Sequence, residues 1–269
     1  MRYQVFYRQP ALRRTLVAFA LAAAYSSSWA LPTFTLNPSA AGMNGSSFTA
    51  DNILISDFSS VTFSDPTHFS DTGLLQVTSF QLGGNTFTPS GLNSSGGYSL
   101  WFSFSGTGHL TSGTAATLAT SPSNGQFDAL TYTFNGAAGP STFSIGAGNT
   151  PTRTGPTAIT LASGSLIAGG VGSTNAGNNN FVPTAAATVS FATASSAGGF
   201  FASPTPFYNV ALTAFTNTLS EVSFNGTGFT ITQGGGSVNF ASPVPEPDTY
   251  ALMLGGLGVL GFLARRRRS

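Results

Sequence analysis

Large apolar and small polar residues alternate with a period of two through several short runs of this chain. Tyr98, Leu100, Phe102 and Phe104 share one parity, with Ser99 and Ser103 on the other. Leu130, Tyr132 and Phe134 alternate with Thr131 and Thr133 in the same way, and the pairs Val222/Phe224 and Phe229/Ile231 continue the pattern. Successive side chains of a strand point to opposite faces, so this pattern predicts half-buried antiparallel strands. Gly, Asn and Ser punctuate the runs as turns. The stretch Ser103-Phe104-Ser105-Gly106-Thr107-Gly108 returns loosely as Ser223-Phe224-Asn225-Gly226-Thr227-Gly228, and each reads as a strand entering a tight turn. Many short strands with polar turns predict an all-β fold, an antiparallel β-sandwich or jelly roll.

Two regions break the pattern. Residues 145–200 are rich in Gly, Ala, Ser, Thr and Asn, with few anchors beyond Ile159, Leu161, Leu166, Ile167, Phe181, Val189 and Phe191. They predict short strands joined by long loops. The Gly-rich segment from Gly234 towards Pro247 predicts a linker, drawn at 234–243, after a β-rich passenger domain at 31–233.

Both ends carry a different pattern. Residues 1–30 have the parts of a secretory signal peptide: a basic stretch from Arg2 to Arg14, an apolar helix-forming run from Thr15 to Tyr25, and Ser28-Trp29-Ala30 before a cleavage point between Ala30 and Leu31. The apolar run is too short for a permanent span of ~30 Å. At the other end, Val244-Pro245-Glu246-Pro247 precedes an apolar segment, Thr249 to Ala264, closed by Arg265, Arg266, Arg267 and Arg268. A helix of that length reaches about 24 Å, a short transmembrane helix suited to transient residence. The arginines hold their side cytoplasmic, and the prolines keep the motif extended just outside the membrane, as a protease requires.

This order of motif, glycine-containing apolar helix and terminal arginines, at 244–269, resembles the PEP-CTERM sorting signal of Gram-negative bacteria. The resemblance implies export by the Sec translocon and signal peptidase, an inner-membrane intermediate, and processing by a membrane-embedded exosortase. The start of the passenger, LPTFTLNPSAAGMNGSSFTADNILISDFSSVTF followed by DTGLLQVTSFQLGG and GLNSS, is similar to the flocculation-associated PEP-CTERM proteins. That similarity, over roughly residues 31–135, implies a place at the cell surface or in the extracellular matrix, among exopolysaccharide in flocs and biofilms. It supplies no catalytic residues.

Composition narrows the chemistry. Only 6% of the 269 residues are charged, yet 41% are hydrophobic and 24 are Phe, enough for a core. Between the two ends Arg153 stands alone against Asp51, Asp57, Asp65, Asp71, Asp128 and Glu221, a balance that disfavours nucleic acid. No cysteine or lysine occurs, which removes disulfides, thiolate sites and Schiff-base chemistry. His68, between Asp65 and Asp71, mimics a base with its orienting carboxylate, and His109 follows a Gly-Thr-Gly turn, but no Gly-x-Ser-x-Gly elbow is present. Neither histidine is assigned a catalytic role. The reading is therefore non-enzymatic, with no obligate cofactor. Asp51, Asp57, Asp65 and Asp71 form a candidate calcium cluster of hard oxygen ligands without EF-hand spacing. Trp101, on the parity opposite Phe102, is a candidate sugar-stacking platform if that face is solvated. A lectin-like carbohydrate-binding module, with calcium as an optional ligand, is thus the alternative function, followed by a polysaccharide hydrolase; six acids are present, but nothing in the sequence pairs two of them across a cleft.

Overall fold

The computed structural model describes residues 31–241, and every regular element of any length within them is a strand. In chain order these are β1 (Phe34–Leu36), β2 (Phe48–Ala50), β3 (Asn52–Phe63), β4 (His68–Leu82), β5 (Asn85–Phe87), β6 (Ser99–Ser112), β7 (Asn124–Ala137) and β8 (Thr142–Ile145). They continue as β9 (Pro151–Thr154), β10 (Ile159–Gly177), β11 (Asn180–Ser190), β12 (Ala192–Thr193), β13 (Phe201–Ser203), β14 (Val210–Thr216), β15 (Val222–Phe224) and β16 (Gly228–Ala241). Among the described residues no helix is long and apolar enough to cross a membrane. The expected signal helix, transmembrane helix, sorting motif and arginine cluster lie outside the described residues.

The all-β antiparallel expectation holds, but the sheet closes on itself instead of forming a sandwich or jelly roll. Neighbours run β11-β14-β16-β3-β4-β6-β7-β10, and β10 pairs again with β11, giving a closed eight-stranded barrel. The β10–β11 hairpin makes the closure, because β10 is long enough to pair with β7 on one side and β11 on the other. Closure removes the edges that a sandwich must protect. Residues 159–190, expected as short strands in long loops, are thus two of the barrel's own strands. Asn178 and Asn179 turn the hairpin with positive φ (51° and 58°), which suits a two-residue turn between twisted strands.

The expected linker is also a strand. Gly234 to Ala241 belong to β16, which lies between β3 and β14. The glycines there serve close approach: a side chain on Gly236 would sit 2.7 Å from Phe215. The two SFxGTG-like stretches part company as well. Residues 223–228 form the expected turn between β15 and β16, whereas 103–108 continue through the middle of β6.

Parity along each strand sorts the side chains. Ile53, Ile55, Val61, Phe69, Leu75, Val77, Leu100, Phe102, Phe134 and Val238 point inwards, while Ser60, Thr62, Thr72, Ser105, Thr107 and Thr131 point outwards. This is the inverse of a membrane-spanning barrel, which is apolar outside and polar inside. One rim is filled by an aromatic cluster in which Phe240 meets Phe34 at 5.0 Å and Phe191 at 4.9 Å, edge to face. The small sheet β13-β1-β2 packs into that rim through Phe34, Leu36 and Ala50. A second cluster, Val61, Phe69, Leu110, Leu118, Phe127, Phe229 and Ile231, forms at the opposite rim.

Candidate functional site

Between the two clusters the lumen holds a cavity of about 110 Å³. Its lining is aliphatic and aromatic, with two carboxyls set into it: Asp57 on β3 and Asp71 on β4. Both occupy inward positions of otherwise apolar strand faces, Asp57 in step with Ile55 and Val61, Asp71 with Phe69 and Leu75. The pairs Asp57/Leu75, Ser59/Gly73 and Val61/Asp71 succeed one another along the ladder, so only a serine and a glycine stand between the acids. Gly73 leaves room for the ring of Phe104, which a side chain there would strike.

Asp57 is 5% exposed. Its Oδ2 accepts a 3.0 Å hydrogen bond from Ser59 Oγ, while its Oδ1 is buried without a partner. Burial pushes its pKa up to about 7, and the Ser59 bond offsets only part of that. Asp71 keeps some accessible surface, but its Oδ1 is sealed and unpaired. Its pKa is raised well above the usual carboxylate range, first by desolvation and then by repulsion from Asp57. A third orphan oxygen belongs to Asn217, whose Nδ2 donates to the Pro183 carbonyl at 2.7 Å and whose Oδ1 has no donor. That Oδ1 occupies the space a side chain on Gly234 would take, and Gly234 lies opposite Asp57 in the β16–β3 register. A bulge between Thr232 and Gly234, with Gln233 at φ 66°, sets this register.

The candidate calcium residues do not converge on one point. Asp57 and Asp71 both line the lumen. Asp51 accepts from the Gly83 N–H at 2.6 Å beyond one rim. Asp65 caps the β3–β4 turn by accepting from the Thr67 and His68 N–H groups, both at 2.8 Å. Those backbone bonds hold the Asp65 carboxyl well below its ordinary range. Among the described residues no three acidic or histidine side chains gather as a metal-binding group.

His68 does pair with Asp65, Nδ1 to Oδ2 at 2.8 Å, as the spacing suggested. It faces His109 across the β4–β6 ladder at 5.8 Å between rings, and His109 is held by Asp128 at 2.9 Å. Among the described residues the one hydroxyl bonded to the His68 ring, Thr67 Oγ1, shares Nδ1 with Asp65, and none is bonded to Nε2.

Trp101 is not a solvated platform. Its outward face is 3% exposed beneath the β8–β9 hairpin, with Phe143 at 6.2 Å and the Arg153 guanidinium 3.9 Å above the ring. Arg153 is locked there by a 3.0 Å bond from Nε to Ser141 Oγ and another to the Pro156 carbonyl. The only cation of the passenger is therefore a fastener. Sequence reasoning missed Asn217 and Gly234, which carry no motif, but the acids at apolar parity were visible signals.

Residues 243–268 match a protein family described as the PEP-CTERM protein-sorting motif. The match spans Val244, Pro245, Glu246 and Pro247 together with Arg265, Arg266, Arg267 and Arg268. The chain thus carries the mark of an exported protein of Gram-negative type, with an exosortase as its processing partner. No curated protein and no solved structure matches the chain.

Proposed function

We propose that the processed chain is a non-enzymatic protein of the cell surface or matrix, promoting flocculation or biofilm aggregation with exopolysaccharide. The observation that carries this reading is the sorting motif, placed behind a barrel whose outer face is dressed in Ser and Thr. Such a face, almost free of charge, approaches polysaccharide and neighbouring cells without strong repulsion and offers many weak hydroxyl contacts. The His68–Asp65 pair without a nucleophile, and the covered Trp101, give the hydrolase and lectin alternatives little to build on. Deletion in the native host tests the proposal, scoring floc formation separately from exopolysaccharide yield. Loss of flocs at unchanged polysaccharide yield is expected; normal flocs after deletion would remove the role.

A further inference from the structure

The lumen is a built site with unmet hydrogen-bonding capacity. Buried polar oxygens in folded proteins nearly always find donors, and an orphan is costly. Here three of them, Asp57 Oδ1, Asp71 Oδ1 and Asn217 Oδ1, line one cavity. Once Asp57 is ionised all three oxygens can accept, and a donor from outside the chain would answer them. The only cation among the described residues, Arg153, is engaged outside the barrel. Most of the remaining lining, including Leu75, Phe104, Val189 and Ile231, is apolar. Two carboxyls so placed resist ionising together, and a cationic ligand favours the charged form of Asp57.

We propose that the lumen is a binding site for a small primary amine, held as its ammonium ion. The N–H donors of an ammonium answer the orphan oxygens on the Asp57 and Asn217 side of the cavity, and a short carbon body packs against the apolar lining. A calcium ion fits less well, because it takes 6–8 oxygen ligands and the lining is mostly apolar. Size limits the guest: an apolar cavity of ~150 Å³ accepts benzene, so this one takes about five non-hydrogen atoms. Gly73 and Gly234 cede their side-chain space to Phe104 and Asn217, which line the cavity.

The test is calorimetric titration of the secreted chain, purified from exporting cells, with n-butylamine, 1-butanol and calcium chloride at pH 7. Butylamine is expected to bind at least tenfold more tightly than butanol. Asp57→Asn is expected to weaken amine binding at least tenfold while keeping a melting temperature at or above that of the parent chain. Asp71→Asn provides a second variant with the same expected loss. Equal affinity for amine and alcohol, amine binding indifferent to both substitutions, binding of calcium in place of the amine, or no binding of any probe would each overturn the proposal.

Discussion

The barrel has two unlike walls. Strands β3, β4, β6 and β7 turn large side chains inwards, among them Phe69, Leu75, Phe102, Phe104, Tyr132 and Phe134. Strands β10, β11, β14 and β16 mix smaller inward residues, Ala187, Ala211, Gly234 and Gly236, with Val189, Phe215, Ile231 and Val238. A small barrel lined by aromatics on every strand would be overpacked, and one lined by alanine would be hollow. Joining the two kinds of wall closes the sheet and leaves a modest cavity. The acids lie on the large-residue wall, and Asp57 reaches the seam where it meets Gly234.

Truncation should separate the walls most strongly. Phe134, fully buried and stacked on Phe102 at 4.3 Å, is a pillar of the large wall. Phe134→Ala is expected to cost ~3–5 kcal/mol in denaturant unfolding. Ala187→Val, adding two methyls beside the cavity on the opposite wall, is expected to change stability by less than ~1 kcal/mol. Comparable losses for both would mean that the small wall is packed as tightly as the large one.

Acidity probes the seam between them. Asp57 and Asp71 hold protons more tightly in the folded barrel than in the unfolded chain. Raising pH above about 4 therefore deprotonates the unfolded chain first and draws the equilibrium towards it. For Asp57, with its pKa near 7, the loss between pH 5 and pH 8 is on the order of 2–3 kcal/mol. Melting temperature should fall across that interval, and Asp57→Asn should flatten the slope. A profile that rises from pH 5 to pH 8 would refute the burial argument.

A smaller effect is expected outside the barrel. Arg153→Ala removes a cation from the face of Trp101 and loosens the β8–β9 hairpin, at a cost of ~1 kcal/mol. Tryptophan fluorescence should shift to the red as water reaches the indole. An unchanged spectrum would mean that Phe143 alone covers the ring.

Much of this was legible along the chain. The alternation through Tyr98–Phe104 and Leu130–Phe134 marked strands and their inward faces, and those assignments stand in β6 and β7. The Gly/Ala-rich stretch was misread because its inward side chains are small: alternation of Gly and Ala with Ser and Thr carries almost no hydrophobic contrast. Gly234–Ala241 was misread for a related reason, since glycine signals flexibility until a neighbour shows that only glycine fits. For the site, Asp57 and Asp71 stood out in the sequence only as members of an acidic group with Asp51 and Asp65, which the fold separates; their apolar parity was a signal left unread.

The sequence by itself determined strand parity, the scarcity of charge and the sorting signal, because each is written in neighbouring residues. Only the tertiary structure decided that the sheet closes, that Trp101 is covered, and that Asn217 and Gly234 join two buried acids. Those outcomes depend on register between strands distant along the chain. A shift of one residue in that register would turn the same carboxyls out to solvent.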